Sequence, residues 1–128
     1  MVGIALADGK LLWQTPFQSG RYNSGTPVID GQTVICSGRA LKIGKYGDAF
    51  AATELWKGEA PIFFNTPVLK DGLLYGVTFR RSFFCVNAQT GETVWNDPTM
   101  RGECGEVLDA GSVPVSYTHL TLPTIYSV

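Results

Sequence analysis

The chain has 128 residues, 45 % of them hydrophobic and 16 % charged, with 15 glycines and 7 prolines, a balance that suits a turn-rich β domain better than a disordered tail or a helical bundle and excludes a coiled coil. Lys and Arg number 10 against 11 Asp and Glu, leaving a formal charge of −1, which provides no electrostatic footprint for nucleic acid or anionic lipid. The cysteines Cys36, Cys85 and Cys104 are odd in number and widely spaced, so they build neither a disulfide scaffold nor a CxxC metal knuckle, and no apolar run is long enough to span a bilayer.

The first residues, Met1 to Asp8, lack a basic region and reach a turn at once, so they do not read as a signal peptide. The stretch Ala7-Asp8-Gly9-Lys10-Leu11-Leu12-Trp13 predicts a turn and then a strand ending on tryptophan. Val28-Ile29, Asp30-Gly31 and Gln32 to Cys36 then predict two strands across a hairpin, with Asp-Gly supplying the positive φ angles of a tight turn. Ala40 to Tyr46 is a third strand, and Ala51 to Trp56 a fourth. The same order recurs: Val68-Leu69, Asp71-Gly72 and Leu73 to Val77, then Ser82 to Asn87, then Glu92 to Trp95.

Two independent markers set one period. The tryptophans Trp13, Trp56 and Trp95 lie 43 and 39 residues apart, and the segments starting at Thr26-Pro27-Val28 and Thr66-Pro67-Val68 lie 40 apart. Four strands in about forty residues is the size of a propeller blade. The expected fold is therefore all-β: a partial β-propeller of about two to three four-stranded antiparallel blades, with repeat units ending near Trp13, Trp56 and Trp95. A blade buries its faces only against its neighbours. A large indole at a strand end covers the next sheet and places its N–H within reach of a backbone carbonyl, so all three tryptophans are expected to be structural.

Cys85-Val86-Asn87-Ala88-Gln89-Thr90-Gly91-Glu92-Thr93-Val94-Trp95 resembles the tryptophan-docking repeat of bacterial PQQ-like (pyrroloquinoline-quinone-like) β-propellers, with Asn87 at the acidic position and Thr90-Gly91 at the turn. The N-terminal copy keeps Gly9 four residues before Trp13. The middle copy has Asp48 at the acidic place but Ala51-Ala52 for Thr-Gly, so its turn is expected to be a longer Lys45-Tyr46-Gly47-Asp48 loop. The resemblance implies a non-catalytic protein-interaction or scaffold module with a protein partner, in the periplasm or otherwise outside the cytoplasm. The alternative it implies is a piece of a quinoprotein dehydrogenase that uses PQQ and calcium, with active-site residues in other blades. Such enzymes carry a catalytic Asp and often a disulfide between neighbouring cysteines; this chain has no adjacent Cys pair and no recognisable calcium ligand set. No catalytic, cofactor-binding or metal residue is therefore assigned, and a fold by itself transfers no function. Neither a WD-type nor a kelch-type signature is present.

The remaining candidates have plain readings. Asp30 and Asp71 each precede glycine in a hairpin, so turn chemistry accounts for them better than a catalytic carboxylate pair. Arg80-Arg81 reads as a solvated hairpin tip rather than a channel lining or an anion contact, and Lys42 and Lys45 as the wet side of a strand. Phe63-Phe64, Phe79, Phe83 and Phe84 read as core or interblade packing. Walker, GxGxxG, GxSxG and HExxH patterns do not occur.

The C-terminal residues 114–128 read as a translated sequencing adapter. In codons, the transposon-end adapter of common libraries gives Val-Ser-Tyr-Thr-His-Leu-Thr-Leu-Pro-Thr, the run from Val115 to Thr124; an index fills Ile125 to Ser127, and the adapter then supplies Val128 and a stop. The native repeats are accordingly expected within residues 1–113, as part of a longer propeller. The one histidine, His119, falls in the tail. The tail is expected either to dangle or to fill a missing strand's place, and the exposed blade edges to favour association. Resequencing the locus past codon 113 is expected to show a different, uninterrupted reading frame; the same bases in genomic DNA would refute the adapter origin.

Overall fold

The computed structural model describes residues 1–17, 25–58, 66–78, 82–99 and 106–117, which form strands and turns without a helix. A two-stranded sheet, β1 (Val2–Ile4) and β2 (Leu11–Gln14), comes first. Next is a four-stranded antiparallel meander, β3 (Val28–Asp30), β4 (Thr33–Cys36), β5 (Arg39–Tyr46) and β6 (Ala49–Lys57). A second meander follows: β7 (Val68–Lys70), β8 (Leu73–Val77), β9 (Phe83–Asn87) and β10 (Thr93–Asp97). The last sheet pairs β11 (Glu106–Asp109) with β12 (Pro114–Tyr117). This is the expected all-β partial β-propeller: two whole blades, with half a blade on either side.

Turn chemistry fixes the hairpins, with one shift between copies. Asp71 and Gly72 both have positive φ, 51° and 75°, the geometry of a type I′ turn between β7 and β8. In the corresponding hairpin of the first blade, between β3 and β4, Gly31 (φ 57°) is left-handed and Asp30 is not; Asp30 already pairs with Thr33 at the end of β3, and Gly31-Gln32 turns as type II′. Ser37 (φ 47°) and Gly38 (φ 74°) make the tight turn from β4 to β5.

The middle hairpin differs from expectation. Its insertion is not a longer loop: Gly47 (φ 63°) and Asp48 turn tightly, and the pairing runs on from Tyr46↔Ala49 to Arg39↔Lys57. From the residue opposite tryptophan to the tryptophan itself, Ala40 to Trp56 spans 16 positions, against 10 for Gly3 to Trp13 and for Cys85 to Trp95. The six additional residues lengthen β5 and β6 as a paired overhang. Lys42 and Lys45 are both exposed, but they lie on opposite faces, opposite Thr53 and Phe50, rather than on one wet side. Lys45 reaches over the Phe50 ring at 5.8 Å.

A third inner strand also follows the repeat. Val107-Leu108-Asp109, with Gly111 after it, starts 39 residues beyond Val68 and forms β11, while Pro114 to Tyr117 take the second-strand place as β12. Asp109↔Pro114 matches Asp30↔Thr33 and Lys70↔Leu73 in register.

The core lies between the two whole blades. Ile35 and Ala40 from β4 and β5 pack with Leu74, Phe84, Val86 and Ala88 from the next blade, and Val28, Leu69 and Trp56 close the cluster. Each large buried side chain contributes roughly 1.5–3 kcal/mol. The inner strands stand side by side, β7 between β3 and β11. Thr26 N–H donates to Thr66 Oγ1 at 3.0 Å, joining the two Thr-Pro segments. Lys70 Nζ donates to Asp109 Oδ1 at 2.8 Å and to the Gly111 carbonyl, fastening β11 to β7.

The bond from Lys70, with help from the Gly111 N–H, holds the Asp109 carboxyl below its ordinary pKa. A carboxylate depressed in the folded state stabilises it above the unfolded pKa, and that contribution is lost as pH falls through the folded value. In a backbone-amide titration the Gly111 signal is therefore expected to report a midpoint below the ordinary carboxylate range. Lys70→Met should move that midpoint upward, and an unmoved midpoint would show that the pair is not formed in solution.

Candidate functional site

Each of the three tryptophans follows a β-bulge. Trp13 pairs with Gly3 and Leu11 with Ile4, leaving Leu12 as the additional residue. Trp56 pairs with Ala40 and Glu54 with Leu41, leaving Leu55; Trp95 pairs with Cys85 and Thr93 with Val86, leaving Val94. One inserted residue reverses the in-out alternation and strengthens the local twist, so the bulge re-aims the indole.

Trp56 shows what this aim achieves. Its Nε1–H donates to the Ala88 carbonyl of the next blade at 2.9 Å. Its ring lies on Gly91, where a Cβ would stand 2.6 Å from the indole and where φ is +76°. Glycine is thus required twice at this position, for space and for backbone conformation. The turn that carries this seat is fixed by Asn87, whose Oδ1 accepts from the Gln89 N–H at 2.9 Å and the Thr90 N–H at 3.2 Å. The Gly91 N–H returns to the Asn87 carbonyl at 2.8 Å, and the Asn87 N–H donates to the Glu92 carbonyl at 2.9 Å. Beyond Trp56, the Gly58 N–H donates to the Gly38 carbonyl at 2.7 Å and holds the strand end in place.

The other two indoles behave differently. Trp13 lies across Gly3 of its own hairpin, in space that a Cβ at Gly3 would occupy, and β2 rests against β6. Trp95 packs beside Tyr75 and edge-on to Phe83, with ring centroids 6.2 and 5.2 Å away. Among the described residues, Trp56 alone of the three donates to a carbonyl of another blade.

The remaining polar groups are tied to the scaffold. Arg39 holds Glu54 across the hairpin and lies 5.3 Å from the centre of the Phe17 ring. Asp71 takes the first turn position and Asp30 ends β3. Cys85 is fully buried; burial pushes its thiol pKa up, against a smaller downward pull from its hydrogen bond with Tyr75, and it has no access for nucleophilic work. Phe84 is in the core and Phe83 supports Trp95. Arg80-Arg81, Phe63-Phe64, Phe79, Cys104 and His119 lie outside the described residues. Among the described residues no three His, Cys, Asp or Glu side chains gather as metal ligands.

Antiparallel four-stranded sheets that pack face to face, with an edge tryptophan of one seated on the turn of the next, define a β-propeller segment. Residues 1–97 match the PQQ-like repeat family described as outer membrane protein assembly factor BamB, and the chain belongs to that family. No curated protein matches it.

Substitution at either side of the seat tests its weight. Trp56→Phe keeps most of the apolar area but leaves the Ala88 carbonyl without its donor, and is expected to cost about 1–3 kcal/mol in chemical denaturation. Gly91→Ala meets both the ring and the left-handed φ and is expected to cost at least about 1 kcal/mol. Unchanged midpoints in both would refute a stabilising seat.

Proposed function

We propose that this chain is a non-catalytic propeller segment that holds partner proteins together during assembly outside the cytoplasm, with the native repeats in residues 1–113 and an adapter-derived tail in residues 114–128. The observation that carries the reading is the match of residues 1–97 to a family described as an outer membrane protein assembly factor. The chemistry of the blades supports it. The conspicuous aromatic side chains serve packing, the acidic residues of the hairpins serve turns and a strand-to-strand latch, and the buried thiol is inaccessible.

Blades of this kind present their connecting loops as a binding surface while the sheets stay rigid. A scaffold needs only that rigidity and a shaped rim. A quinoprotein dehydrogenase needs in addition a calcium ligand set and a catalytic carboxylate beside the quinone.

The test uses the full reading frame in its bacterial host. Its deletion is expected to lower the amount of folded outer-membrane β-barrel protein, with no loss of PQQ-dependent dye reduction. Unchanged β-barrel levels would refute the assembly role. Dye reduction by the purified product on addition of PQQ and calcium would establish the dehydrogenase instead.

A further inference from the structure

The tryptophan-bearing strands β2, β6 and β10 each stand at a sheet edge. An open edge invites pairing with another chain, and native edges are blunted by shortness, charge, proline or a bulge. β2 has four residues and β10 five, and a bulge interrupts each, at Leu12 and at Val94. β6 has nine, and its bulge at Leu55 falls near the far end. Before it, Ala49-Phe50-Ala51-Ala52-Thr53 runs in an unbroken ladder with β5, without charge or proline. The overhang of this blade is thus an edge without the usual protection.

The two-residue loop Gly47-Asp48 closes on Tyr46↔Ala49. In such a hairpin the closing pair exchanges its backbone bonds and the next pair does not, so Phe50, Ala52 and Glu54 turn their N–H and C=O groups outward. Among the described residues no backbone group bonds to them there, and β2 lies against β6 without sharing a ladder with it. Ala49, Ala51 and Thr53 are exposed. Charge is uneven too. The ribbon from Arg39 to Lys57 holds four cations, Arg39, Lys42, Lys45 and Lys57, against Asp48 and Glu54, while the rest of the chain holds six cations against nine anions. Arg39 is taken up by Glu54. Lys45 reaches from β5 over the Phe50 ring, its Nζ 5.8 Å from the ring centre, and so leans toward the open edge. Lys42 stands beside Thr53 on the other face. Among the described residues neither lysine has a carboxylate partner.

We propose that the outer edge of β6 is a docking strand for an extended acidic segment of a partner protein, which adds antiparallel as a fifth strand of the blade. Phe50, Ala52 and Glu54 supply the backbone bonds. A carboxylate opposite Phe50 meets Lys45 on one face, and a carboxylate opposite Thr53 meets Lys42 on the other. The segment therefore carries two acidic residues three positions apart. Main-chain bonds give such a contact its affinity, and the side chains on either face give it selectivity. A second copy of the chain does not fit. Two β6 edges paired along the whole of Ala49 to Thr53 bring together ribbons of the same net sign and set Asp48 of each opposite Glu54 of the other, and like charges directly opposite are destabilising. The inference rests on the reading of this chain as a scaffold for partner proteins and gives that scaffold a surface.

The probe is a fluorescently labelled peptide, Thr-Glu-Val-Val-Glu-Val-Lys, written to lie antiparallel to Asp48–Glu54 with its glutamates opposite Thr53 and Phe50. Titrated with the product of the full reading frame, its anisotropy is expected to saturate, and the bound peptide to slow hydrogen exchange in Ala49–Leu55. Absence of either effect would overturn the proposal. Lys45→Glu, which leaves the ladder in place, is expected to weaken binding about tenfold, and lysine in the peptide opposite Phe50 to recover it. Equal binding by wild type and variant would overturn the acidic preference. The same peptide N-methylated at the residues opposite Phe50 and Ala52 keeps its charge and loses its backbone donors, and is expected not to bind; undiminished binding would show that charge acts without strand pairing and would overturn the docking strand. A two-copy light-scattering mass that the peptide leaves unchanged would assign the edge to a second copy and overturn it as well. Should the peptide fail to bind while deletion of the reading frame still lowers β-barrel levels, this surface is refuted and the scaffold role stands.

Discussion

The fold depends on one contact between an indole and a glycine turn. A four-stranded sheet has two faces to cover, and among the described residues no helix covers them, so a blade is stable only as far as its neighbour fits. Trp56 makes that fit specific: it spends its area on Gly91 and its N–H on the Ala88 carbonyl, in a contact that buries apolar surface and satisfies a polar atom together. The core residues Ile35, Ala40, Leu74 and Phe84 are interchangeable in kind with many apolar sets. The seat is not interchangeable, because it requires a residue without a Cβ in a left-handed conformation.

The bulge before each tryptophan belongs to the same device. Leu12, Leu55 and Val94 carry no polar signature and lie among ordinary strand residues. Without the additional residue the alternation of the strand would send the indole to the other face. The bulge thus links a small irregularity in hydrogen bonding to the packing of whole sheets, and through packing to the rigid frame that a scaffold requires.

Much of this was legible in the sequence, for identifiable reasons. The period of the tryptophans and the repeated Thr-Pro-Val marked the blades, and alternation with Asp-Gly marked the hairpins, because these features are written in side chains. The inner strand β11 is hidden in the sequence because Ala110 separates Asp109 from Gly111 and the segment that begins at Pro114 interrupts the repeat before any tryptophan. The overhang of β5 and β6 reads as a loop in the sequence because its glycine and acidic residue suggest one; the pairing partners on either side, Lys45 with Phe50 and Gly44 with Ala51, continue the ladder regardless. The acceptor in the seat is a backbone carbonyl, which no residue type announces, and the bulges are equally silent.

The overhang also shows how this architecture varies. Its six residues are added at the tip of the hairpin, on the far side of Trp56 from the neighbouring seat, so the ladder from Ala40↔Trp56 to Arg39↔Lys57 is left as it stands in the shorter repeats. Hairpin length and blade spacing are therefore separate variables. A lineage of such repeats can reshape its rim, lengthening or retouching one tip at a time, while the joints that keep the blades in line never register the change.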